Sequence, residues 1–183
     1  MAEAVVVVDY APEWPGLFRD LGDRLRKELG HVALRIDHIG STAVPGLAAT
    51  PIIDVQISVD AFEPLITYRA PLERAGFVYR ASNPELTKRY FRERPGTRRT
   101  HIHVRRAGSF SEQFALLFRE YLRSHPDRCA EYGALKRSLA QTHSSPGERQ
   151  NYVDAKVPFI WETLRLADGW AQETGWEPPP SDC

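Results

Sequence analysis

A glycine–serine turn and a carboxylate thirteen residues beyond its serine are the residues whose types and spacing could do chemistry. Gly40, Ser41 and Thr42 follow one alternating apolar segment, and Asp54 lies within the next. Glycine lets backbone N–H groups approach a phosphate closely, and hydroxyls at a helix start add donors there. A carboxylate beside such a turn can hold Mg²⁺ or Mn²⁺ against the phosphates. The segment therefore predicts a site for a nucleotide or other phosphate ligand, with a divalent metal at Asp54.

A histidine pair is the second candidate group. His101 and His103 lie two residues apart in an alternating segment, so both imidazoles should project from one face of a strand. With Asp54 they could form a two-histidine, one-carboxylate metal site, or they could be a hydrogen-bonded pair that supports a polar pocket. Asp54, His101 and His103 are thus the candidate catalytic residues. Gln56 is added to the candidate metal ligands, although a neutral amide binds Mg²⁺ weakly.

The elements that must position these residues follow from the apolar periodicity. Alternation predicts strands, and spacings of three and four predict helices, one of them kinked or restarted at Pro158. The last residues, from 169 to 183, are expected to form a flexible tail. The strands are predicted at 5–8, 32–39, 52–59, 77–80, 86–94 and 98–105, and the helices at 14–29, 62–75, from 111, from 126 and at 148–167.

The charge distribution indicates where anions would meet the protein. The 24 basic and 24 acidic residues balance, yet nine basic residues and only two acidic ones lie between Arg80 and Arg106. This segment could grip a polyphosphate or a nucleic-acid backbone, or it could be an ordinary charged hairpin. Arg99 is the preferred phosphate ligand here, because the alternation places it on the histidine side.

Cysteine content and hydropathy indicate the expected cellular compartment. Only Cys129 and Cys183 are present, and no apolar run approaches the ~20 residues of a membrane span. A cytoplasmic protein without a membrane partner is the expectation; the oligomeric state is left open.

The chain resembles the GrpB family of nucleotidyltransferase-like proteins. The resemblance covers about residues 5–167 and is carried by 38–47 with 51–54, by 101–104, by 121–126, and by scattered aromatic and basic positions. It implies an α/β (α+β) fold, in which a mixed β-sheet is flanked by helices and followed by a helical C-terminal part, with residues 1–168 as one domain. It also implies that Lys136, Tyr152 and Lys156 rim the phosphate pocket.

The resemblance leaves the activity open. Nucleotidyltransferases carry an Asp-x-Asp pair after the Gly-Ser turn, and Gln56 replaces the second acid. A similar domain occurs fused to dephospho-CoA kinase, which indicates a nucleotide or coenzyme context. Three hypotheses follow: a metal-dependent nucleotidyltransferase, a catalytically inactive module that binds a nucleotide, coenzyme or RNA, and a hydrolase that uses a histidine-bound metal.

Overall fold

A five-stranded mixed sheet forms the centre of the computed structural model, which describes residues 4–183. In spatial order the strands are β1 (Arg35–Ile39), β2 (Ile53–Val59), β5 (Thr100–Arg106), β4 (Arg89–Glu93) and β3 (Phe77–Tyr79). The β2–β5 pair is parallel, and the other three pairs are antiparallel. The mixed sheet and its flanking helices confirm the predicted fold class.

Register in the β2–β5 pair decides where the candidate residues lie. Asp54 is opposite His101, and Gln56 is opposite His103. Because paired residues point to the same face of a sheet, the polar side chains of both strands share one face. The alternate residues Val55, Ile57 and Ile102 are fully buried on the other face.

That other face packs against α1 (Trp14–Leu29) and α2 (Ile66–Arg74). The α1 helix presents Phe18, Leu25 and Leu29 to the sheet, and it ends at Gly30, which has a positive φ of 53° as predicted for a glycine stop. Burial of these apolar side chains supplies the main driving force for packing the helices against the sheet.

The polar face is covered by the helices that follow β5. They are α3 (Phe110–Ser124), α4 (Pro126–Thr142), α5 (Arg149–Ala155) and α6 (Val157–Thr174). Buried Glu112 of α3 accepts a hydrogen bond of 2.7 Å from Ser58, which fixes this helix on β2. The predicted interruption near Pro158 is present, since α6 begins one residue before it. No helix in residues 4–183 combines the length and apolar character that a membrane span requires.

Several boundaries differ from the sequence predictions. Segment 5–8 forms only an isolated bridge from Val8 to Ala49 rather than a strand. The α3 helix begins at Phe110 rather than at 111, with Ser109 as its N-cap, because the Ser109 hydroxyl accepts from the Glu112 N–H. Strand β1 starts only at Arg35, since residues 30–32 form a 3₁₀ turn.

The C-terminal residues also differ from the predicted flexible tail. The α6 helix continues to Thr174, and the Cys183 N–H donates to the Ile36 carbonyl at 3.1 Å. The Asp182 carboxylate accepts from the His38 N–H at 2.8 Å. The reason is that β1 is an edge strand whose free backbone groups can pair with another segment. Residues 1–3 of the predicted 1–168 domain lie outside the described residues.

Candidate functional site

The glycine–serine turn packs directly against Asp54. Gly40 has a φ of 72°, and a Cβ added there would lie 2.6 Å from Asp54 Oδ2. A side chain would therefore have to displace the carboxylate, in a backbone conformation that L residues rarely adopt. The next residues form a 3₁₀ turn, Ser41–Ala43. Only glycine allows this turn to lie so close to β2.

Thr42 anchors the turn from inside the protein. Its hydroxyl is buried, donates to the Ile52 carbonyl at 3.0 Å and lies 3.0 Å from His38 Nε2. The hydroxyl therefore already has its partners, and what Thr42 offers a ligand is the backbone N–H at the start of the turn. Ser41 keeps its hydroxyl directed at the opposite wall.

Lys136 of α4 contacts that hydroxyl. Its Nζ donates to Ser41 Oγ at 2.8 Å and lies 4.6 Å from the centre of the Tyr132 ring. Only 2% of Lys136 is exposed, and among residues 4–183 no carboxylate forms an ion pair with it. Burial, followed by repulsion from Lys156, lowers the pKa of Lys136 to about 7. Burial without an acidic partner favours the neutral form of the amine, and an anion bound beside it would favour the protonated form.

Lys156 is a second cation of this kind. It lies at the α5–α6 junction with its Nζ 4.4 Å from the centre of the Tyr152 ring. Burial lowers its pKa to about 8, although the charge of Asp54 acts in the opposite direction. Lys136, Tyr152 and Lys156 thus line the same cavity as Asp54.

Asp54 lies between the two histidines. Its Oδ1 is 3.3 Å from His101 Nδ1 and 3.1 Å from His103 Nε2. Burial would raise the pKa of Asp54, but the hydrogen bonds from both histidines outweigh it and hold this pKa well below its usual value. Burial lowers the pKa of His103 to about 4, so that imidazole is neutral at pH 7 and can donate to the carboxylate.

The same three residues offer a set of metal-binding atoms. One oxygen from Asp54 and one nitrogen from each histidine lie within 4.8 Å of one another. Their other ring nitrogens, His101 Nε2 and His103 Nδ1, are buried and have no hydrogen-bond partner among the described residues. One carboxylate with two imidazoles suits Zn²⁺, Mn²⁺ or Fe²⁺ better than Mg²⁺, which prefers oxygen ligands.

The structure does not place Gln56 with the metal-binding atoms of Asp54, His101 and His103. Its Oε1 accepts a 2.6 Å hydrogen bond from Arg105 Nη1, and its Nε2 donates to the Glu112 carbonyl at 3.3 Å. Gln56 is fully buried, and the guanidinium on its oxygen would repel a cation. Arg99 also lies apart from the site: it precedes β5, its carbonyl accepts from the Ile53 N–H, and it does not line the cavity around Asp54.

A cavity of about 550 Å³ is lined by most of the remaining candidates, and we call it the basic cavity. Gly40 is the exception, since it lines a neighbouring cavity. The size of the basic cavity is typical of sites for small molecules. Four lysine or arginine side chains and one carboxylate line it, and one of these cations, Lys88, forms an ion pair with an acid outside the wall, Glu85 at 2.6 Å, so the charge of the wall favours an anionic ligand. Its polar and aromatic wall residues include Ser41, Thr42, Asp54, Lys88, Tyr90, His101, His103, Lys136, Arg149, Gln150, Tyr152 and Lys156.

Some of these residues carried no usable sequence signal. Lys88 belongs to the basic segment, but nothing singled it out from its neighbours. Tyr90, whose ring centre is 5.5 Å from those of both histidines, and Arg149 were missed. Register between β4 and β5, which places Tyr90 opposite His103, was needed to find the tyrosine.

The basic segment 80–106 does not form one surface. Lys88 lines the basic cavity, Arg98 lines a separate cavity beside α1, and Arg105 lies next to Gln56. Arg89 stacks on Phe62, and Arg94 donates to the Glu73 carbonyl. Because successive side chains of a strand point to opposite faces of the sheet, and because the turns reverse the chain, these cations lie in different parts of the molecule.

The mixed sheet, the glycine–serine turn and the following carboxylate define a nucleotidyltransferase-like fold. The chain superposes on a structure of the Cid1 poly(U) polymerase bound to MgATP with a TM-score of 0.53 and 13% identity, covering 76% of this chain and 46% of the polymerase chain. At this identity the likeness concerns the fold alone.

The chain belongs to the GrpB family. The model for "GrpB protein" matches residues 4–165. The crystal structure of GrpB from Enterococcus faecalis is 34% identical, with a TM-score of 0.81 over 94% of this chain and all of that one. A protein named dephospho-CoA kinase from Mycolicibacterium paratuberculosis is 36% identical over 91% of this chain and 47% of its own length. The chain spans about half the length of this relative and of the Bacillus subtilis UPF0157 protein YqkA.

Proposed function

We propose that this protein binds the phosphates of a nucleotide in the basic cavity and acts as a nucleotidyltransferase-like protein. The observation that carries the proposal is the contact of buried Lys136 with Ser41 beside the glycine turn, in a cavity with one acid and four cations. A phosphate there would gain charge-assisted hydrogen bonds from Lys136 and Lys156, which form no ion pair within residues 4–183. It would also meet backbone N–H groups at the start of the turn.

A single divalent cation fits beside this phosphate site. Asp54, His101 and His103 would hold it, and it would neutralise charge on the nucleotide's phosphates. Their mixed oxygen and nitrogen atoms favour Mn²⁺ over Mg²⁺. A second cation would have no further carboxylate in the cavity wall, where Asp54 is the one acid. The neutral Gln56 replaces the second acid, and its oxygen is engaged by Arg105.

A catalytically inactive binding module is the second candidate, and the Gln56–Arg105 hydrogen bond favours it. Nucleotidyl transfer through two metals needs several carboxylates. A module of this kind would bind its ligand mainly through the lysines. Its affinity would fall with salt and change little with metal.

Titration calorimetry with ATP and with dephospho-CoA tests the proposal. Each ligand is measured without metal, with Mg²⁺ and with Mn²⁺, in wild type, Asp54→Asn and the control Asp60→Asn, an exposed acid just after β2. We expect ATP to bind wild type most tightly with Mn²⁺. The Mn²⁺ enhancement should vanish in Asp54→Asn and persist in the control.

The outcomes separate the two candidates. Binding without any metal enhancement, together with an absence of pyrophosphate release from ATP, would select the inactive module. If none of the nucleotides binds under any condition, both candidates are refuted.

A further inference from the structure

A second cavity, of about 300 Å³, meets the basic cavity at Asp54. The two share four wall residues: Ser41, Asp54, His103 and Lys156. The remaining wall of the second cavity comes from the glycine–serine turn region, from Ile39 of β1 and Arg105 of β5, and from α3, α4 and α6. A ligand in either cavity would therefore lie next to a ligand in the other.

The chemistry of this wall differs from that of the basic cavity. Its distinct residues are mainly aromatic and aliphatic, including Phe114, Phe118, Leu122, Tyr132 and Ile160, and we call it the aromatic cavity. Apolar walls with a few polar groups are typical of sites that bind the ring systems of small molecules. The volume admits a molecule of about one ring with substituents, which excludes a protein segment or a nucleic-acid strand.

Arg105 supplies a cation to the aromatic cavity. Its Nη1 donates to Gln56, while its buried Nε has no hydrogen-bond partner among the described residues. Buried donors normally have a partner, and an unfilled one at a cavity wall indicates where a ligand oxygen would lie. With Lys156 nearby and Asp54 as the one acid in the wall, the balance favours a carboxylate.

The aromatic side chains continue to the surface. Phe110 is 75% exposed and Trp161 is 57% exposed, and their ring centres lie 5.1 and 5.3 Å from that of Phe114. Adjacent exposed rings of this size are uncommon on a protein surface, and they mark binding sites. Their contact with Phe114, which lines the cavity, joins this patch to the cavity wall.

Resting on the proposed function, we propose that the aromatic cavity binds a second small molecule, an aromatic carboxylate, beside the nucleotide. Its ring would pack between Phe114, Phe118 and Ile160, and its carboxylate would accept from Arg105. The basic cavity and the aromatic cavity would thus hold the two ligands side by side at Asp54.

Benzoate is the probe for this site, with benzyl alcohol and benzylamine as analogues that keep the ring and replace the anionic substituent with a neutral or a cationic one. Binding is followed by methyl NMR of Leu122 and Ile160, with and without ATP. We expect saturable shifts of both methyl groups with benzoate, weaker shifts with benzyl alcohol, and none with benzylamine. The order follows from the charge of Arg105.

Two variants that fill the cavity test its location. Ile160→Trp and Ala115→Phe, observed through the Leu122 methyl groups, should each weaken benzoate binding at least about tenfold. The control Val157→Trp, on the same α6 helix but outside the cavity, should leave it unchanged. ATP affinity is measured in all three variants and should stay at the wild-type value.

The results distinguish this inference from the proposed function. Benzoate binding that survives both filling variants, or the absence of benzoate binding in protein that binds ATP, overturns the inference. Benzoate binding in protein that fails to bind any nucleotide supports the second site and refutes the proposed function instead.

Discussion

Replacing Lys136 with methionine should make the free protein more stable while weakening its phosphate site. The lysine is almost fully buried and has no acidic partner among the described residues, so the folded protein holds its charge only against the desolvation penalty. Methionine has a similar length and shape and carries no charge. It removes that penalty and also the cation that would meet a phosphate.

The magnitude follows from the pKa. A pKa of about 7 in place of 10.5 corresponds to roughly 5 kcal/mol of preference for the neutral amine, at about 1.36 kcal/mol per pKa unit. This is an upper limit, and methionine also loses the hydrogen bond to Ser41, worth roughly 1 kcal/mol. We therefore expect a gain of about 2–4 kcal/mol at pH 6, or roughly 5–12 °C in Tm for a domain of this size.

The pH dependence provides the decisive assay. A lysine whose pKa is lower in the folded protein than in the unfolded chain destabilises the folded state, and for Lys136 the full effect is present below pH 7. This effect declines as pH rises from 7 towards 10.5, because over that range the unfolded chain holds more protons. Thermal melts of Lys136→Met and wild type should therefore differ most at pH 6 and converge towards pH 10. The exposed control Lys27→Met should follow wild type throughout.

A loss of stability at pH 6, or a difference that does not change with pH, would refute the reasoning. Either result would mean that Lys136 is stabilised by contacts that compensate for its burial. Pyrophosphate titration of the same variant completes the test, since unchanged affinity would remove Lys136 from the phosphate site.

Two further predictions concern the turn and the lysines. Gly40→Ala should destabilise the protein by about 1–3 kcal/mol and abolish pyrophosphate binding, because its Cβ would displace Asp54. Gly96→Ala is the matched backbone control, since Gly96 lies in a turn with a positive φ and open space around it. Equal loss of binding in both variants would contradict the argument. Pyrophosphate affinity should fall at least about tenfold from pH 7 to pH 9, as Lys136 and Lys156, with pKa values of about 7 and 8, lose their protons. Calorimetry in two buffers of different ionisation enthalpy should detect proton uptake on binding at pH 8, and affinity that is independent of pH over this range would exclude the lysines.

Local patterns were sufficient to predict most of the sheet. Alternation identified β2 and β5 because their apolar residues bury one face completely, which gives a period of two. The same pattern indicated that Asp54 and the two histidines share the other face. It could not give the distances between them, which depend on the parallel register of strands far apart in the chain.

The differences between the sequence expectations and the structure have a common physical origin. Gln56 looked like a metal ligand because it shares a face with Asp54, but tertiary packing pairs it with Arg105, forty-nine residues away. The tail looked mobile because its composition is polar and rich in proline, yet residues 181–183 pair with the edge of β1. Long-range hydrogen bonds leave no local signature in sequence, and the same holds for the cavity contacts of Arg149.

The parallel pairing of β2 with β5 has a consequence for folding. Forty-nine residues separate His103 from Asp54, and the histidines reach Asp54 only when β5 pairs with β2, so the basic cavity depends on contacts of large sequence separation. A partly folded chain with only β1 and β2 formed would carry the glycine–serine turn without its histidines. Recovery of ligand affinity during refolding should thus report the pairing of β5 with β2, and a bound nucleotide would stabilise that pairing.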